Sequence, residues 1–229
     1  MITWRIQIFF RRLLDYLIHV PLKIFRLLKW LIWISPLRGN KKILRWLAGL
    51  ILLTLDVTPV ILLYETVLDL VKWKTRPLTE TEREIALFVF GTGFPVHLIG
   101  LDPRSIPAIK KKTIAYVSFH TINFDTLIAD YTLVHEMVHI WHYQVYGAAY
   151  ISEAFWAQKW GGGYNYGGVE ALKKYKDNLR LFAFNFEQQA DIIEDYYRSS
   201  KGITLQWSTI ESGIGELLAD YAEEVTTES

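Results

Sequence analysis

Within residues 133–144, LVHEMVHIWHYQ, the side chains of His135, Glu136 and His139 have the types and spacing that metal-assisted hydrolysis needs. On an α-helix a four-residue step rises about 6 Å with a small angular offset, so both imidazoles share a face and one metal ion can bind both. Glu136, one residue round from His135, can reach a water without being a ligand, which is where a general base must stand. The spacing also arises by chance, so its surroundings matter. Leu133, Val134, Met137, Val138, Ile140 and Trp141 put apolar side chains around nearly the whole circumference, which predicts a helix buried inside a domain. Buried ionisable groups need partners, and a metal would be one. His142 lies on the same face but about 10.5 Å along the axis from His135, too far to share the ion. It is read either as a supporting or transition-state group or as a plain polar tip.

Any further ligand must come from His, Asp or Glu, because the chain has no cysteine; this also excludes a disulfide framework and a thiolate zinc site. Asn185 and Gln188 make a capping signal for a later helix, on which Glu187 and Asp191 are four apart and share a face. These two acids, with Glu194 and Asp195, are either an ordinary solvated face or a working pair. In the working reading Glu187 is the third ligand and Asp191 accepts a hydrogen bond from the far nitrogen of a ligand imidazole.

The remaining segments must position these helices. At 229 residues and 51% hydrophobic, the chain can bury one substantial core with an extra segment. Residues 1–74 carry 12 Lys and Arg against 4 acids, whereas residues 75–229 carry 13 against 20, so the two parts have different surroundings or face each other. Arg5, Arg12, Asp15, His19, Lys23, Arg26 and Lys29 recur at helical steps as a narrow polar stripe on a helix of Ile, Leu, Phe and Trp, with a kink expected at Pro21. Such a helix suits a membrane interface or a partner surface. After a break at residues 35–40, the apolar run from Trp46 to Tyr64 has the length of a span. Asp56 and Pro59 count against a simple one, and interfacial or hairpin packing remain alternatives. No secretory cleavage pattern is evident.

Residues 75–81 are the expected boundary between an apolar basic segment, residues 1–75, and a globular domain, residues 76–229. A domain separable there would still bind its metal when residues 1–74 are deleted. Thr79 and Glu82 predict a capped helix to about Phe90; Val96–Leu101 and Thr113–Thr121 read as strands, with residues 110–112 as a charged connection. Asp130 is the expected cap of the metal helix and Gly147 its end. The glycine-rich stretch of residues 161–168 lacks a phosphate-loop ending and reads as a cleft rim or a plain connector. Residues 203–207 and a last helix to about Ala222 close the chain. Basic residues interleaved with long aliphatics, beside an acidic globular part, argue against nucleic-acid binding.

His135-Glu136-Met137-Val138-His139, followed by Glu187-Gln188-Gln189-Ala190-Asp191, resembles the gluzincin group of zinc metallopeptidases. VHEMVHIWHYQ, YGAAY and NFEQQADIIEDYY are together similar to bacterial zincin-like domains associated with contractile injection and type VI secretion systems, the DUF4157-like group. The similarity covers roughly residues 76–197. It implies an α+β zincin fold and zinc held by His135, His139 and Glu187, with Glu136 as base and Asp191 orienting His135. It also implies a small mixed sheet whose edge strand, here Thr113–Thr121, holds extended peptide substrate. The 48-residue gap from His139 to Glu187 is longer than the shortest in that group. The expected function is peptide-bond hydrolysis by zinc-activated water in a membrane-associated bacterial protein. Tyr143, Tyr166, Tyr196, Tyr197 and His142 are candidate stabilisers of the transition state. The alternative is a non-catalytic docking or tethering module of a secretion apparatus.

Overall fold

Every residue from Leu133 to Tyr143 is buried, and the other elements are arranged round that helix. The computed structural model describes residues 2–32, 40–103, 115–177, 180–209 and 213–227. An N-terminal layer comprises α1 (Ile2–Ile32), α2 (Asn40–Val57) and α3 (Val60–Val71), followed by α4 (Glu80–Phe90). A three-stranded sheet contains β1 (Gly100–Pro103), β2 (Ala115–Ser118) and β3 (Thr121–Phe124) in the order β1-β3-β2. Among the described residues the remaining α-helices are α5 (Asp130–Tyr146), α6 (Tyr150–Trp160), α7 (Gly168–Tyr175), α8 (Phe186–Ser200) and α9 (Ile214–Thr227). The architecture is α+β, mostly helical with a small mixed sheet.

Local signals fix several ends. Thr79 and Glu82 exchange both bonds of a capping box at the start of α4, and Asn185 and Gln188 do the same for α8. Gly147 ends α5 in a left-handed conformation, φ +69°. A Cβ there would also stand 2.9 Å from Asp56 Oδ2, so only glycine lets α2 approach this closely. Asp130 does not cap α5; it is the first helical residue, where its charge suits the helix dipole, and Ala129 holds the cap position. The expected strand from Val96 is shorter: Val96–Leu98 forms a 3-10 turn after Pro95, and pairing begins at Gly100.

The second expected strand stops at Ser118. Phe119, at φ +55°, and His120 then turn the chain into β3 with Ser118 opposite Thr121. No Gly or Asn announces this turn. It is held from α3, where Glu65 accepts the His120 backbone N–H at 3.0 Å. Thr113, Ile114 and residues 110–112 lie outside the described residues, as do residues 35–39 of the expected break.

The N-terminal layer reverses the usual orientation of an amphipathic helix. Arg12 and Lys23 of the α1 polar stripe are buried, while Phe10, Leu14, Leu17, Ile18 and Phe25 are exposed. Pro21 lies inside α1, which continues to Ile32. The Trp46–Tyr64 run is divided between α2 and α3. Among the described residues no single helix is long and apolar enough to cross a membrane. The pair Lys42–Val57 and Val60–Val71, bent by 76°, passes on length and composition alone. Contacts cross the expected boundary at residue 75: Asp56, paired with Lys23 within the N-terminal layer, also accepts from the Tyr143 hydroxyl and from the Ala148 N–H, and Lys72 pairs with Asp102.

Candidate metal centre

Helix α5 contributes His135 and His139, and α8, packed along it, contributes Glu187 from its first turn. Both imidazole Nε2 atoms stand 3.6 Å from one carboxylate oxygen, Glu187 Oε2. Two ligand atoms about 2.0–2.1 Å from a tetrahedral ion are roughly 3.4 Å apart, so this spacing fits zinc. Glu187 Oε1 accepts from Gln158 of α6 at 3.0 Å, whereas Oε2 is buried without a hydrogen-bond partner. A sealed carboxylate oxygen is costly unless a cation or donor meets it, and a metal at this point would do so. Burial alone would raise the Glu187 carboxyl; when His139 and His135 are protonated, their charge overrides burial and holds it well below the usual range, as a cation at the same point would.

His135, Asp191 and Glu194 make another cluster of ligand type. Its carboxylates are already engaged: Asp191 accepts the Trp207 indole N–H, and Glu194 pairs with Arg198 at 2.7 Å. The orphaned oxygen belongs to Glu187, so the donor set of His135, His139 and Glu187 is the better cradle.

Hydrogen bonds behind the ligands fix which nitrogens are free. His135 Nδ1 is 2.8 Å from Asp191 Oδ1 and 3.3 Å from Glu194 Oε2, so in the neutral, ligating ring the proton sits on Nδ1 and the Nε2 lone pair faces Glu187. His139 is set by a longer relay. Gln189 donates its amide to the Phe184 carbonyl at 2.8 Å, which leaves its oxygen to accept from His142 Nε2 at 2.8 Å. Neutral His142 then has only Nδ1 as acceptor, 3.3 Å from His139 Nδ1, so the His139 proton sits on Nδ1 and Nε2 is free to ligate. Burial, reinforced by His139, pushes His142 well below its ordinary value and keeps it neutral. Replacing His142 with Leu should weaken zinc affinity about 10- to 100-fold by chelator competition. Unchanged affinity would mean that the ring only fills space.

Glu136 is 6% exposed, hydrogen-bonds to no described residue, and lies within electrostatic reach of both ligand histidines. Burial raises its carboxyl, His135 and His139 lower it, and the net shift is upward, towards the range in which a base works. Among the expected transition-state groups, the structure brings none of the hydroxyls to the ligand triad. The Tyr143 hydroxyl donates to Asp56, and that of Tyr166 donates to Asp195. Tyr196 stacks on Phe88, with Tyr197 edge-on to the same ring. His142 is fully buried behind His139.

Tyr164, which spacing did not single out, has its ring beside His135 instead. Its ring centroid is 6.0 Å from that of His135, and burial, with Glu187 next, pushes its phenol up to about 12, so it keeps its proton at neutral pH. The glycine-rich loop that carries it is pinned: Asn185 donates to the carbonyls of Gly161 and Gly163, and Gln188 to that of Asn165. Gln158, Gln189, Glu194 and Trp207 are the other contributors missed in the sequence. Glu194 and Asp195 are buried rather than part of a solvated face. Comparison with family models, curated proteins and solved structures returns no match, so the reading rests on this geometry.

Proposed function

We propose that the chain is a zinc metallopeptidase of zincin type that works at a membrane surface. The observation that carries this reading is the unpartnered Glu187 Oε2, 3.6 Å from two Nε2 atoms whose tautomers are fixed from behind. Zinc held by His135, His139 and Glu187 would supply Lewis acidity to a substrate carbonyl and to water. Glu136 takes the proton of the attacking water and returns it to the leaving amine. Tyr164 donates to the oxygen on which negative charge develops. Substrate lies extended along β2, an edge strand beside α5, with main-chain bonds giving affinity. The exposed apolar faces of α1, α2 and α3, with cationic residues along their edges, favour insertion into one leaflet interface of a bacterial membrane.

A second reading, a non-catalytic docking module of a secretion apparatus, is favoured by the low exposure of His135, Glu136 and His139, each under 10%. Metal analysis and turnover separate the two. Purified protein should carry close to one zinc per chain, His139→Ala should carry almost none, and the zinc-loaded protein should cleave a fluorogenic peptide library. Zinc retained without cleavage of any peptide supports a docking module with a structural metal; failure to take up zinc after metal-replete purification sinks the peptidase and leaves only a metal-free docking module.

A further inference from the structure

A chamber of about 650 Å³ lies between the N-terminal layer and the metal-bearing helices. Leu22 and Phe25 of α1, Leu53 of α2, Ala149, Tyr150 and Phe186 contribute to its walls. It is a cleft open to solvent on one side rather than an internal void, and its volume falls in the roughly 300–1,000 Å³ range of small-molecule sites. Its inner wall backs onto the metal centre: Tyr150 stacks on His139 with centroids 6.5 Å apart, and Phe186 stacks on His142 at 4.3 Å.

Three features describe its occupant. The walls are mainly aliphatic and aromatic, which suits a hydrocarbon. The mouth includes Leu22 and Phe25, both more than 40% exposed and in helical register with Leu14 and Ile18 on the outward apolar stripe of α1. A chain entering there passes directly from the surface that faces lipid. Arg26 and Lys29 edge the same opening; the Lys29 ammonium stands 4.7 Å over the Phe25 ring and has no carboxylate partner among the described residues. The single acid in the lining, Glu153, is paired with Arg45. The opening therefore favours an anionic head.

We propose that this chamber binds one alkyl chain of an anionic membrane amphiphile, with the head group held at Lys29 and Arg26. The proposal rests on the membrane reading for the source of its ligand. Full-length protein in neutral maltoside micelles, which cover its outer apolar face, can be titrated with alkyl phosphates of eight, ten and twelve carbons. The readout is displacement of a fluorescent fatty acid. One saturable site per chain is expected. Ala149→Trp, which fills the chamber, should abolish the saturable site while zinc content stays at the wild-type level. Lys29→Glu should weaken alkyl phosphate roughly tenfold and favour an alkyl trimethylammonium of equal length.

Wild-type uptake by a zinc-loaded Ala149→Trp protein overturns the proposal. If that variant fails to fold, Lys29→Glu decides, and an unchanged preference for the anionic head overturns it. Co-sedimentation with anionic vesicles tests the membrane reading separately. A protein that binds vesicles but shows no saturable site has lost only the chamber proposal. Saturable uptake by a protein that ignores vesicles overturns the membrane source.

Discussion

A protein lacking residues 1–74 is expected to aggregate and to lose its zinc, because α1, α2 and α3 cover part of the core that holds the metal helix. Tyr143, Ala148 and Tyr150 form a buried cluster with Ile61 of α3, and Tyr143 is one turn beyond His139. Uncovering the two tyrosines and the neighbouring apolar surface removes on the order of 1.5–3 kcal/mol for each large side chain. That is a large share of the roughly 5–15 kcal/mol that holds a domain together. The sheet loses support as well, since Arg12 donates to the Leu98 carbonyl at 3.1 Å and Glu65 holds the turn between β2 and β3. Asp56→Ala is the same experiment in one residue. It leaves the Lys23 ammonium buried without its 2.7 Å partner, which costs about 3–5 kcal/mol and lowers Tm by roughly 10 °C in a chain of this size. Size-exclusion chromatography, zinc analysis and a thermal scan read both variants. A monomeric truncated protein with one zinc would make the N-terminal layer a detachable anchor, as the expected boundary at residue 75 implies.

That boundary illustrates what the sequence could and could not reveal. Helical periodicity turns the spacing of His135 and His139, and of Glu187 and Asp191, into shared faces, and the Asn185–Gln188 capping box fixes the start of α8. The convergence of His135, His139 and Glu187 and the contact of His135 with Asp191 were therefore legible. The α1 stripe was legible as a pattern but not in direction. An amphipathic helix has the same periodicity whether its polar side meets water or, as with Arg12 and Lys23, buried carboxylates. The turn at Phe119 and His120 carried no local signal because its restraint comes from Glu65, 55 residues earlier. Tyr164 carries no sequence signal for a related reason: its approach to His135 depends on how Asn185 and Gln188 pin the glycine-rich loop, a tertiary fact that spacing does not encode.

Glu136→Gln should lower peptide turnover about 100- to 10,000-fold while zinc content stays near one per chain. Position is the reason. Glu136 sits beside the first ligand on α5 yet bonds to neither imidazole, whereas Glu187, on another helix, supplies the oxygen that faces both. A glutamine preserves the size and packing of the side chain but cannot accept the proton of the attacking water, so the loss should fall on kcat with KM little changed. Glu187→Gln should show the opposite division, losing zinc first and activity as a consequence. Tyr164→Phe provides a third point. It keeps ring and metal but lacks the donor, and should reduce kcat roughly 100-fold, the scale on which single oxyanion donors act. Zinc lost equally from Glu136→Gln and Glu187→Gln would show that Glu136 is part of the cradle, and the assignment of a base to this position would have to be given up.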